Sequence, residues 1–101
     1  VLVSPEFNRL YHGAFLGDIY KQMLSQKRII ISFEKFKEAL KYANESYPRY
    51  DNSTDLVSTR DIRNKDLVLH IEWIIKWAGE YGITPGIVQE QWSRLLELTH
   101  A

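Results

Sequence analysis

The sequence predicts an all-α domain, a small bundle of four main helices with the third as its central strut. Three observations carry that expectation. Apolar residues recur at three- and four-residue steps through most of the chain, and helix start and stop signals bracket each periodic run. The β-branched run Ile29-Ile30-Ile31 is too short to anchor a sheet. With 101 residues, 45% hydrophobic and 26% charged, the chain is expected to form a single helical domain over residues 1–101. Its start, Val1-Leu2-Val3 without a Met, also suits a piece of a longer protein, and Ser4-Pro5-Glu6-Phe7 suits an expression-vector scar.

The first helix is expected from Pro5, with Ser4 as N-cap, because Phe7, Leu10, Tyr11, Ala14, Phe15, Ile19, Met23 and Leu24 share one amphipathic stripe. Gly13 and Gly17 each cost roughly 1 kcal/mol there relative to alanine, which points to close approach of a second helix. Ser25-Gln26-Lys27-Arg28 closes this element. A second helix capped by Ser32 turns Phe33, Phe36, Leu40, Ala43 and Tyr47 inward and ends at Pro48. Glu34, Lys35, Lys37, Glu38 and Lys41 form its solvated faces, with opposite charges at helical spacing.

Residues 48–58 read as a polar loop, and Asn52-Ser53-Thr54, although it satisfies the glycosylation pattern, reads as a turn. Ser58 with Asp61 resembles a capping box and is expected to open the third helix, which runs to Tyr81 with Gly82 as its left-handed terminator. Leu67, Ile71, Ile74 and Ala78 make one apolar stripe on that helix. His70, Trp73, Trp77 and Tyr81 make a second. Thr84 and Pro85 then start a fourth helix with Val88, Trp92, Leu95 and Leu96 inward.

Thirteen basic and thirteen acidic side chains cancel, which excludes a bulk polyanion binder. The cancellation hides an asymmetry: residues 1–50 hold eight basic and five acidic side chains, and residues 51–101 hold five and eight. Zero cysteines exclude disulfides, thiolate metal sites and thiol nucleophiles, and fit a cytoplasmic or other intracellular setting. The longest apolar stretch, Leu67 to Ala78, is broken by His70, Glu72 and Lys76 and falls short of the ~20 residues of a membrane span. No signal peptide is visible, and no membrane role is expected.

The chain has no phosphate-cradling glycine loop, nucleophile elbow or metalloprotease motif, so no catalytic residue, cofactor or metal is expected. His12, His70 and His100 are scattered, and His70 and Glu72 fall on different helix faces. His70 reads as a satisfied core or boundary histidine. Ala78, Gly82, Ile83 and Val88 carry an Ala-x3-Gly-Ile-x4-Val spacing that resembles the helix-turn-helix of DNA-binding regulators over residues 74–95. The run Ile83-Thr84-Pro85-Gly86-Ile87-Val88 is also similar to a helical hairpin of some antitoxin and metallopeptidase-regulator proteins.

The helix-turn-helix resemblance implies that Thr84 and Gln89 face a groove while Arg60, Arg63, Lys65 and Arg94 touch phosphates. That motif lies in the half of the chain with an acidic excess, so DNA binding is the alternative. The leading expectation is a non-catalytic interaction or regulatory module that binds another protein or itself. Its anchors are Trp73, Trp77 and Tyr81, since exposed tryptophan and tyrosine dominate interface energetics. Tyr42, Tyr47 and Tyr50 beside Arg49 read as a helix-end cluster, with stacking on single-stranded bases as the lesser option.

Overall fold

The computed structural model describes residues 5–49, 56–59 and 61–85. They are all-α: three helical rods pack into one continuous apolar cluster, with no strand among the described residues. The first rod is α1 (Pro5–Leu10), a π-helical stretch (Tyr11–Gly17) and α2 (Asp18–Ser25), joined without a break in right-handed backbone. The π stretch has a reason in the sequence. Phe7, Tyr11, Phe15, Ile19 and Met23, all buried, repeat every four residues. At ~100° per residue such a repeat drifts by about 160° over its four steps in an ideal α-helix. The wider π turns absorb part of that drift and keep all five side chains on the core.

This corrects the expectation for Gly13 and Gly17. A Cβ at Gly13 would meet nothing within 4 Å, and one at Gly17 only the His12 carbonyl at 3.6 Å. Among the described residues no second helix approaches there. Both glycines lie in the π stretch instead.

α2 closes in a Schellman turn, with the Arg28 N–H donating to Met23 O and the Lys27 N–H to Leu24 O, both at 3.0 Å. Residues 29–32 continue as irregular backbone. Ser32 then caps α3 (Phe33–Ala43), its Oγ accepting from the Lys35 N–H at 3.2 Å. α3 buries Phe36, Leu40 and Lys41, but ends at Ala43, which is exposed. Tyr47 reaches the core from the following turn rather than from the helix. The ends of the 48–58 segment clasp through an antiparallel bridge between Arg49 and Leu56 and a Val57 N–H bond to Pro48 O.

α4 (Asn64–Glu80) begins six residues after the expected Ser58 cap. Ser58 accepts the Asp61 N–H through its backbone carbonyl, in a turn that lets Thr59 and Ile62 into the core before the helix starts. From there α4 is central as expected. Leu67, Ile71, Ile74 and Ala78 are all at most 1% exposed. Gly82, at φ +72°, terminates α4 in a second Schellman turn, with Ile83 N–H to Ala78 O and Gly82 N–H to Gly79 O, and buried Ile83 covers buried Ala78. The expected fourth helix, with Val88, Trp92, Leu95 and Leu96, lies outside the described residues. No described helix is long and apolar enough to cross a membrane.

Candidate interaction surface

Helical geometry explains how α4 presents its aromatic residues. Taking Ile74 as the inward direction, Trp77 lies about 60° and Trp73 about 100° to one side. Each is therefore half in and half out. Trp73 and Trp77 are both half-buried, and Tyr81, past the helix end, is 38% exposed. Their inner faces rest on the core: Trp73 stacks on His70 (6.2 Å, 10° between planes), and Trp77 meets Phe36 of α3 at 6.1 Å. Trp77 also meets Tyr81 at 5.0 Å, and the Arg28 guanidinium lies 5.5 Å over the Tyr81 ring.

Two clefts share Trp73 as a wall. The smaller, about 110 Å³, is lined by Trp73, Lys76, Trp77 and Glu80. The larger, about 210 Å³, is lined by Asn44, Ser46, Tyr47, Asp66, Leu69, His70 and Trp73. The three residues expected as anchors are thus brought together on one face.

His70 sits at the floor of this face, 1% exposed, among Tyr11, Tyr47 and Trp73. The Ser46 N–H donates to Asn44 Oδ1 at 3.1 Å, which orients the amide so that Asn44 Nδ2 donates to His70 Nδ1 at 2.9 Å. His70 is therefore neutral, with its hydrogen on Nε2. Burial, with help from the nearby Lys41 ammonium, pushes its pKa down to about 3. Nε2 and the Tyr11 hydroxyl are both buried without a hydrogen-bond partner among the described residues, and burial pushes the Tyr11 phenol well above its ordinary range. The core reading of His70 holds for Nδ1, while Nε2 is left unsatisfied.

A second polar chain joins the first rod to the loop before α4. Thr59, 3% exposed, donates to Asn8 Oδ1 at 2.8 Å and lies 3.1 Å from His12 Nε2, while Lys37 Nζ lies 3.4 Å from His12 Nδ1. Because the hydroxyl hydrogen is committed to Asn8, the imidazole donates to Thr59 from Nε2. The polarity is opposite to that of an activated nucleophile, whose hydroxyl gives its proton to the base. Burial first, then Lys37 and Lys41, lowers the His12 pKa. This hydroxyl–imidazole pair was invisible in the sequence, since its members are 47 residues apart.

The residues assigned to DNA do not converge as far as they are described. Arg63 precedes α4 and pairs with Asp66 at 3.2 Å, and Lys65 is exposed in the first turn. Thr84 lies beyond the other end of a 17-residue helix, about 25 Å away at ~1.5 Å per residue. Its carbonyl accepts from Gln22 at 3.0 Å. Arg60, Gln89 and Arg94 lie outside the described residues. Tyr47, in the alternative stacking cluster, is buried with its hydroxyl on Val57 O at 2.6 Å, and Arg49 is tied to the carbonyls of Glu45 and Tyr47, so neither is free to meet a base. Tyr50 lies outside the described residues. No group of three or more metal-ligating side chains occurs among the described residues. No protein family, curated protein or solved structure matches the chain.

Proposed function

We propose that this domain is a non-catalytic interaction module that docks a partner protein on the aromatic face of α4. One observation carries the reading: Trp73 and Trp77, clamped from behind by His70 and Phe36, hold open a cleft of about 110 Å³ at the surface. A rigid aromatic-walled cleft accepts an apolar side chain at little entropic cost, because the rings are already ordered before binding. Tyr81 extends the face beyond the helix end.

The test compares Trp77→Ala and Tyr81→Ala with the parent chain. Each variant is expected to keep the helical far-ultraviolet signature and lose partner binding, while sedimentation velocity reports whether a second copy is the partner instead. Retention of binding by folded Trp77→Ala and Tyr81→Ala variants would overturn the reading. If Trp77→Ala unfolds, Tyr81→Ala, whose ring is more exposed, still decides the matter.

A second reading, duplex-DNA binding, is favoured by the Schellman turn at Gly82, which supplies the close α4 exit that a helix-turn-helix needs. It predicts binding that weakens with salt at a log–log slope of about 0.9 per phosphate contact. Absence of duplex binding at low salt removes it.

A further inference from the structure

We propose that the segment bound at the aromatic face is acidic and aliphatic, its carboxylates held by Lys27 and Arg28 in the turn between α2 and α3. The inference rests on the interaction reading above and names the chemistry of the partner. Contacts running from Trp77 place that turn beside the face. Arg28 covers Tyr81, which touches Trp77. On the other side, Tyr20 packs against Phe33 and Phe36, the latter touching Trp77, and its hydroxyl donates to Ile31 O at 2.6 Å.

The turn carries features that the fold does not account for. Ile30 is 96% exposed, and Leu24 and Ile31 are exposed as well. Lys27 occupies the left-handed position of the Schellman turn, at φ +56°, where the backbone favours glycine. A lysine there is strained, and it makes no ion pair among the described residues. Arg28 likewise makes no ion pair among the described residues, its Nε donating to the neutral Gln26 amide. Residues 20–36 hold four cations and one anion, and that anion, Glu34, already pairs with Lys37. Two cations with no ion pair among the described residues, beside exposed aliphatic side chains and an aromatic cleft, complement a segment that alternates carboxylates with aliphatic residues. A flat anionic lipid surface fits less well, because the apolar strip ends in a cleft sized for a side chain.

Selection from a random peptide library on the immobilised full chain tests this, with Trp77→Ala and the double variant Lys27→Glu/Arg28→Glu as parallel baits. The expected winners carry Asp or Glu next to Leu, Ile or Phe. A synthesised winner is expected to bind the double variant at least about tenfold more weakly, from the repulsion of like charges. Lys27→Gly separates charge from structure: it relieves the backbone strain, so it is expected to melt higher than the parent while binding the peptide more weakly. Winners without an acidic excess, or undiminished binding to the double variant, overturn the charge inference and leave the aromatic face standing. Failure to enrich any peptide over the Trp77→Ala bait overturns both.

Discussion

Lowering the pH from 7 to 5 is expected to cost the folded state about 2 kcal/mol through one side chain, His70. The unfolded imidazole has an ordinary pKa near 6.5, while burial holds the folded one down to about 3. A depressed folded pKa means that the unfolded chain takes up the proton first. The stability associated with neutral His70 is thus fully present above about pH 6.5, and is lost as the pH falls from there towards 3. Between those limits one proton is taken up on unfolding, which is about 1.4 kcal/mol per pH unit, or about 2 kcal/mol at pH 5.

For a domain of this size that loss lowers Tm by roughly 10 °C. Urea unfolding followed by tryptophan fluorescence at several pH values between 7 and 5 measures it, in a window above the ordinary carboxylate range. His70→Gln, which keeps an acceptor for Asn44 but cannot titrate, should be less stable at pH 7 and lose most of the slope. His12, also lowered, adds a smaller slope of the same sign that His12→Gln removes. If the His70→Gln slope equals that of the parent, or if the His70 ring protons titrate near 6.5 in the folded protein, the reasoning is wrong.

Three further outcomes can be checked by the same unfolding measurements. Gly13→Ala and Gly82→Ala should move stability in opposite directions although neither Cβ meets any atom within 4 Å. The first gains about 0.5–1 kcal/mol from a less flexible unfolded chain, and the second loses about 1 kcal/mol because alanine is strained at φ +72°. Equal signs would show that φ is not what separates the two sites. Ile74→Ala, at a position with 0% exposure in the middle of α4, should cost about 2–5 kcal/mol, and a cost under about 1 kcal/mol would contradict its place in the core. Thr59→Val keeps the shape but leaves Asn8 Oδ1 and His12 Nε2 without their partner, at a cost of about 1–3 kcal/mol that Thr59→Ser should largely restore.

Local chemistry made much of the fold legible in the sequence. The Leu67, Ile71, Ile74, Ala78 stripe, the Ser32 cap and the Gly82 terminator each depend on residues within about three turns of one another, and each is found where expected. The π stretch had a local signal too, the strict four-residue repeat from Phe7 to Met23, which a 3.6-residue period does not fit. The start of α4 departs from the Ser58–Asp61 capping pattern because burial of Thr59 and Ile62 goes with a turn there.

The candidate face divides along the same line. That Trp73, Trp77 and Tyr81 share one side of a helix follows from their four-residue spacing alone. How far each is covered was decided by long-range packing, with Phe36 arriving from α3 and His70 fixed by Asn44, 26 residues away. The polar chain from Lys37 through His12 and Thr59 to Asn8 belongs wholly to tertiary structure. Its hydrogen bonds span 25, 47 and 51 residues, separations at which a periodic pattern carries no information. The sequence by itself determined which surfaces of each helix are apolar, because periodicity is a local property. Only the packed structure decided which of those surfaces are buried and which stay exposed, because that depends on what the rest of the chain brings against them.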